Sequence, residues 1–150
     1  MDKELIPKNH FHFIGVGGIG MSAIAIGLLK KGYSVSGSDL VKNDETHKLE
    51  KLGAIIFNTQ IGQNIEFLTS KFNNKLINFV VSTAIKPENE ELMYCKKKNL
   101  PVKHRSEILA VLMQSYTSLA VAGSHGKTST STFLSTLLEL CTHNSSSIIG

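Results

Sequence analysis

Short apolar runs recur along the chain and alternate with longer amphipathic stretches. The run at 77–81 is apolar apart from one asparagine, which is typical of a strand buried on both faces, as in a parallel sheet. The pattern predicts strands at 11–15, 33–37, 54–57, 77–82, 101–103 and 118–122, and helices at 18–31, 44–52, 88–98, 105–114 and 127–141. Alternating strands and helices with glycine turns favour an α/β fold built on a doubly wound parallel sheet.

A glycine-rich loop follows the first predicted strand. Gly15, Gly17 and Gly20 fit the pattern G-x-G-x-x-G, in which the first glycine permits a tight turn and the second the close approach of a diphosphate. The third would allow close packing of helix on strand. Asp39 ends the second predicted strand, 19 residues after Gly20, near the spacing of a ribose-binding acid. A turn acid or a helix N-cap is the alternative interpretation of Asp39.

A second glycine loop, Gly123-x-x-Gly126-Lys127-Thr128, follows the apolar run at 118–122. Its lysine would place a charge on the β- and γ-phosphates of a nucleotide, and its threonine would offer a hydroxyl to Mg²⁺. The full phosphate-loop pattern requires another glycine where this chain has Val121. An ordinary strand-to-helix turn with a solvated lysine is therefore the alternative. The spacing of glycines, lysine and threonine favours ATP.

Composition indicates a globular protein without a targeting segment. The chain has 150 residues and a net charge of +4, and its Lys96–Lys98 run fits the solvated end of a helix better than a nucleic-acid site. Cys95 and Cys141 form neither a metal pattern nor a disulfide framework, which suits a reducing cytoplasm. The uncharged stretch at 13–29 is too short and too rich in glycine for a membrane span, so we interpret it as a loop and buried helix.

A domain boundary is expected between the two loops. Residues 1–114 would form a Rossmann-like domain, and residues 115–150 would begin a second α/β domain of the phosphate-loop ATPase kind. One strand and one helix bury too little surface to form a core alone. We therefore expect the sequence to be a piece of a longer protein.

The two loops in one chain resemble the Mur ligase family. The resemblance extends to Ser36–Asp39, Val80–Ile85 and Arg105–Glu107. It implies a three-domain bacterial cytoplasmic enzyme of peptidoglycan synthesis, with UDP bound by the first domain and ATP by the second. The implied reaction joins L-alanine to the lactyl carboxylate of UDP-N-acetylmuramate through an acyl phosphate, with ATP and Mg²⁺. The piece alone is expected to be inactive.

The resemblance also assigns residues. Those expected at the UDP-sugar are Gly15, Val16, Gly17, Gly18, Ile19, Gly20, Asp39, Ser82, Thr83 and Ala84. Those expected at ATP are Gly123, Ser124, His125, Gly126, Lys127, Thr128 and Ser129, with Lys127 catalytic and Thr128 on the metal. His12, on the first strand, is expected to be structural.

Three alternatives remain open. The first loop could belong to an NAD-binding module of a dehydrogenase or redox sensor, although this leaves the second loop unexplained. The chain could be a non-enzymatic sensor of nucleotides or UDP-sugars. Within the same family, the paralogue that recycles murein peptides is the nearest competitor.

Overall fold

Strands and helices alternate in the computed structural model, which describes residues 9–72, 76–142 and 147–148. The strands are β1 (Asn9–Ile14), β2 (Ser34–Ser38), β3 (Ile55–Phe57), β4 (Leu76–Val81) and β5 (Val102–His104). The helices are α1 (Ile19–Lys30), α2 (Asp44–Lys51), α3 (Gly62–Lys71), α4 (Glu90–Lys97), α5 (Arg105–Gln114) and α6 (Lys127–Thr142). No helix among these residues is both long and apolar enough to cross a bilayer.

The five strands form a single parallel sheet in the order β3-β2-β1-β4-β5. The predicted doubly wound parallel sheet is therefore confirmed. Strand β1 lies in the middle, with His12 opposite Ser36 on β2 and Phe79 on β4. The strand order reverses between β1 and β4, and ligands of such sheets bind beyond the carboxyl ends of the strands at this point.

Helices cover both faces of the sheet. On one face, α1, α2 and α5 pack around Phe11 and Phe13 of β1, in a cluster that also holds Leu28 and Leu112. On the other face, α3 and α4 pack against Ile77 and Phe79 of β4. The members of both clusters lie before residue 115. Because side chains of a strand alternate between faces, Phe11 and Phe13 lie on one side and His10 and His12 on the other.

Ten of the eleven predicted elements are found, with ends that differ by at most two residues. The strand predicted at 118–122 is wrong, since that segment is irregular and mostly exposed. An apolar run becomes a strand only when a neighbouring strand supplies hydrogen bonds, and the described chain places none beside it.

Helix α3 was not predicted because its sequence carries weak start signals. It begins after Ile61 without a side-chain cap and without an acid in its first turn. Its buried residues Ile65 and Leu68 pack into the core between the sheet and α4. Packing of this apolar face, rather than local propensity, stabilises α3.

The two cysteines are expected to differ in reactivity towards thiol reagents. Cys95 is buried and Cys141 is exposed. Burial, with a smaller contribution from the charge of Glu91, raises the pKa of the Cys95 thiol to about 12. Because only the thiolate reacts, about one Cys95 in 10⁴ would be reactive at pH 8. Absorbance titration with a disulfide reagent should count one fast thiol in the native chain and two in urea, and Cys141→Ser should remove the fast one. Two fast native thiols would contradict the buried position of Cys95.

Candidate functional site

The first glycine loop makes a tight turn at the carboxyl end of β1. Gly15 has a φ of +79°, a left-handed conformation that glycine adopts without strain. The N–H groups of Gly15 and Val16 both donate to the carbonyl of Ser38, at 2.8 Å and 3.0 Å. The end of β2 thus anchors the turn, and α1 begins four residues later at Ile19.

The N-terminus of α1 is open. Within the described residues, no side chain caps this helix and its first turn contains no acid. A Cβ placed on Gly18 would meet no described heavy atom within 4 Å. The first N–H groups of an α-helix lack intrahelical acceptors, and the helix dipole favours negative charge there. This end of α1 is therefore suited to binding a phosphate.

Asp39 braces the loop from the side of β2. Its Oδ2 accepts a hydrogen bond from the Gly17 N–H at 2.8 Å, and its Oδ1 accepts one from the Val41 N–H at 3.0 Å. The side-chain amide of Asn43, which also caps α2, donates to the Gly17 carbonyl at 3.0 Å. Asp39 therefore makes the contacts of a turn acid, which was the alternative interpretation of this residue. Its contact with a ribose stays a prediction.

Two glycines of the loop make room for side chains from other elements. A Cβ on Gly17 would lie 2.8 Å from Asp39 Oδ2. A Cβ on Gly20 would collide with Nη1 of Arg105, the first residue of α5. Gly20 was expected to let the helix pack closely on the strand, but the space it leaves is filled by the Arg105 guanidinium.

The turn after β4 lies at the same edge of the sheet. Ser82 accepts a backbone hydrogen bond from Ile85 at 3.2 Å, which leaves Thr83 and Ala84 exposed at the tip. The Cδ1 atom of Ile85 would lie 2.7 Å from a Cβ on Gly15. The structure therefore brings the predicted residues Gly15–Gly20, Asp39 and Ser82–Ala84 together.

A buried polar network lies beneath this edge. Glu91 of α4 is 0% exposed and accepts hydrogen bonds from Ser38 Oγ at 2.5 Å and Asn64 Nδ2 at 2.8 Å. His12 is also 0% exposed, with Nδ1 at 2.8 Å from Ser36 Oγ and Nε2 at 3.5 Å from Glu91 Oε1. His12 thus lies inside the protein, and its structural role stays a prediction. The network joins α3 and α4 to the strand that anchors the loop.

Glu91 and Asn64 were missed from the sequence. Glu91 sits in a charged stretch that resembles an exposed helix start. The one available signal was the alternation of His10 and His12 on β1 with three serines of β2, which places polar groups on a buried face. Buried polar groups need hydrogen-bonding partners, so a partner from a covering helix could have been anticipated.

The second glycine loop forms by local interactions. Gly126 has a φ of +73°, and a Cβ placed there would meet no described heavy atom within 4 Å. Helix α6 begins at the next residue, and Lys127 Nζ donates to the Gly123 carbonyl at 2.6 Å. The turn and the helix start are therefore present, and the residues from Gly123 to Ser129 are exposed.

The two loops are separate in the described chain. Neither a hydrogen bond nor an ion pair joins residues 15–20 to residues 123–129 there. The residues that the structure describes contain no cluster of three or more His, Cys, Asp or Glu side chains that could hold a metal ion. The residues predicted for the UDP-sugar lie together at one edge of the sheet, and those predicted for ATP lie on a separate, exposed loop.

Comparison with known proteins gives a consistent result. A family profile described as "Mur ligase family, catalytic domain" matches residues 10–117. The chain is 71% identical over 150 residues to a UDP-N-acetylmuramate–L-alanine ligase of Prochlorococcus marinus subsp. pastoris, covering 100% of this chain and 32% of the relative. The chain therefore spans about a third of the length of that curated relative.

Two solved structures share the fold. One is the UDP-N-acetylmuramate:L-alanyl-gamma-D-glutamyl-meso-diaminopimelate ligase of Neisseria meningitides, with a TM-score of 0.78 and 26% identity over 90% of this chain and 40% of that one. The other is the UDP-N-acetylmuramate-alanine ligase of Thermotoga maritima, with a TM-score of 0.73 and 27% identity over 87% of this chain and 29% of that one.

Proposed function

Because the chain belongs to the Mur ligase family, we propose that it is the nucleotide-binding part of an ATP-dependent ligase that joins L-alanine to UDP-N-acetylmuramate. The observation that carries this proposal is the open N-terminus of α1, next to the glycine loop at the point where the strand order reverses. The 71% identity to a ligase of this description supports the choice of substrates.

The proposed reaction forms one amide bond at the expense of one ATP. An oxygen of the lactyl carboxylate attacks the γ-phosphorus, and ADP leaves. The amine of L-alanine then attacks the carbonyl carbon of the acyl phosphate, loses a proton and expels inorganic phosphate. The first step brings two anions together, so cationic groups and backbone N–H donors are needed to offset the charge.

In this proposal the first loop holds the UDP-sugar. Residues Gly15–Gly20 would receive the diphosphate at the N-terminus of α1, with the turn at Ser82–Ala84 on the same edge. Asp39 would hold the loop in place by accepting the hydrogen bond from the Gly17 N–H, and it would lie near the uridine. Ordering the loop in advance reduces the entropic cost of binding.

The second loop fits the phosphates of ATP. The open space at Gly126, next to the start of α6, leaves room for a phosphate. The Lys127 side chain spans the loop, because its Nζ donates to the Gly123 carbonyl. Residues Gly123 to Ser129 would hold the ATP phosphates, with His125 and Ser129 at the edge of this loop. When bound, Mg²⁺ would neutralise charge on the phosphates, and Thr128 would supply one hydroxyl ligand. Its other ligands would come from the rest of the ligase.

We also propose that residues 1–114 form the UDP-binding domain and that residues 115–150 begin the ATP-binding domain. Helix α5 ends at Gln114, and every residue of both core clusters comes before this position in the chain. Since the chain covers 32% of the relative's length, we expect it to bind nucleotides without catalysing the ligase reaction. Ligase turnover by the 150-residue chain would contradict this.

The murein-peptide-recycling ligase is the second candidate. The solved ligase from Neisseria meningitides has the higher TM-score, 0.78 against 0.73, while the identities of 26% and 27% are nearly equal. Fold similarity therefore does not separate the two activities. The sequence favours the L-alanine ligase, because the identity to the relative of that description is 71%.

Calorimetric titration of the chain tests the proposal. We expect binding of UDP-N-acetylmuramate and no binding of NADH, because the relatives that this chain matches are described as ligases of UDP-N-acetylmuramate. UDP-N-acetylglucosamine serves as the matched control for the lactyl group. Binding of NADH alone would refute the proposal and indicate a dehydrogenase or redox-sensing module.

A further inference from the structure

Ser38 joins the first glycine loop to a buried carboxylate. Its carbonyl accepts the N–H groups of Gly15 and Val16, while its Oγ donates to Oε2 of Glu91 at 2.5 Å. Ser38 is 0% exposed, so water cannot replace either set of partners. The position of Glu91 is therefore transmitted through one residue to the first two N–H groups of the loop.

Glu91 is itself held from two further elements. Its Oε1 accepts from Asn64 Nδ2 of α3 at 2.8 Å and lies 3.5 Å from His12 Nε2 of β1. Asn64 Nδ2 also donates to the Thr59 carbonyl at 2.7 Å, which fixes the amide. An ionised carboxylate can only accept hydrogen bonds, so Ser38 and Asn64 both act as donors and neither side chain is free to turn. The carboxylate thus forms a fixed support beneath the end of β2.

The end of β2 holds three successive N–H groups of the loop. Those of residues 15 and 16 donate to the Ser38 carbonyl, and the next donates to Asp39 Oδ2 at 2.8 Å. The Val16 side chain is 0% exposed and packs onto Gly37, where a Cβ would lie 2.6 Å from Val16 Cβ. A displacement of Ser38 would therefore move the loop, and with it the N–H groups at the start of α1.

We propose that Glu91 is a positioning residue for diphosphate binding at the first glycine loop, an inference that rests on the proposed function. Helix α4, which carries it, covers the face of the sheet opposite α1, so Glu91 acts through Ser38 and not by contact with the ligand. A buried charge often adds no net stability to a fold. Here it orders the donors of the loop before a ligand arrives, which reduces the entropic cost of binding.

Calorimetric titration of the 150-residue chain with UDP tests the effect on binding. Ser38→Ala keeps the carbonyl and removes the hydroxyl, and Glu91→Gln keeps one acceptor oxygen but loses the charge. Each should weaken UDP binding about tenfold, the effect of losing one hydrogen bond. Because both changes break the same link, the double variant should lose no more than about twofold beyond the weaker-binding single variant. Ile65→Val is the matched control, since it shortens a side chain that is 0% exposed in α3, next to Asn64, and it should bind UDP like the parent.

Amide hydrogen exchange of the ligand-free chain tests the positioning itself. In both single variants, the Gly15 and Val16 amides should exchange at least about tenfold faster than in the parent, because their acceptor is no longer fixed. The Tyr33 and Ala54 amides donate to backbone carbonyls at the C-terminal ends of α1 and α2, and their exchange should change much less. A general loss of stability would accelerate all four amides together.

The outcomes separate this inference from the proposed function. UDP binding by the parent with both single variants unchanged within twofold would overturn the role of Glu91 and leave the proposed site intact. Equal acceleration of exchange at all four amides, or losses of affinity that multiply in the double variant, would overturn it as well. Failure of the parent to bind UDP or UDP-N-acetylmuramate would refute the nucleotide site, and the inference with it.

Discussion

Replacement of Glu91 by alanine is expected to lower the free energy of unfolding by about 3–5 kcal/mol. The side chain is 0% exposed and accepts hydrogen bonds from Ser38 and Asn64. Its removal leaves the Ser38 and Asn64 donors buried without their acceptor and creates a cavity beside His12. Urea unfolding followed by circular dichroism measures the loss.

Glu90→Ala is the matched control for this variant. Glu90 is the preceding residue of α4 and is exposed, so its loss should change stability by no more than about 0.5 kcal/mol. Glu91→Gln should fall between the two, because the amide oxygen still accepts hydrogen bonds while the charge beside His12 is lost. If Glu91→Ala unfolds at the same urea concentration as Glu90→Ala, the buried network does not stabilise the fold.

Replacement of Gly17 by valine is expected to weaken UDP-N-acetylmuramate binding about 100-fold, the loss that follows when two hydrogen bonds to a charged phosphate, each worth about 1.5 kcal/mol, are broken. A Cβ at this position would lie 2.8 Å from Asp39 Oδ2 and 3.0 Å from Asn43 Nδ2. The loop must then move away from the side chains that brace it, and the N–H groups of α1 change direction. Calorimetric titration against the parent chain measures the effect.

Gly27→Ala is the control for added bulk, placed in α1, the helix that follows the loop. A Cβ on Gly27 would lie 3.4 Å from Leu112 Cδ1, an ordinary contact distance, and alanine favours helix more than glycine does. Its affinity for the sugar nucleotide should equal that of the parent. A folded Gly17→Val chain that binds within threefold of the parent would show that the loop does not receive the diphosphate.

Local signals account for what the sequence predicted well. The turn at Gly15 and the turn at Gly126 each need a left-handed residue, and glycine at these positions is visible in the sequence. The uncharged apolar stretch of α1 and the apolar run of β4 are likewise visible from neighbouring positions in the chain. These features place the edge of the sheet at which Gly15–Gly20, Asp39 and Ser82–Ala84 meet.

Features that depend on distant partners were not predicted. Glu91 is an ordinary helix-start acid until the fold carries it beneath Ser38, 53 residues away in the chain. Arg105 was noted only as part of the family resemblance, since its approach to Gly20 follows from the packing of α5 against α1. The error at 118–122 has the same origin, because a strand requires a neighbouring strand.

The central position of β1 has a consequence for the order of folding. Strand β1 is the earliest strand of the described chain, yet one of its two partners is β4, which pairs Val80 with Phe13. Until β4 has been synthesised, a sheet of β1, β2 and β3 exposes one edge of β1, with unpaired backbone groups beside Phe11 and Phe13. Such pairings between distant segments form slowly, and an open apolar edge can pair with other chains. The nascent chain is therefore most exposed to aggregation in the interval between the synthesis of β3 and the docking of β4.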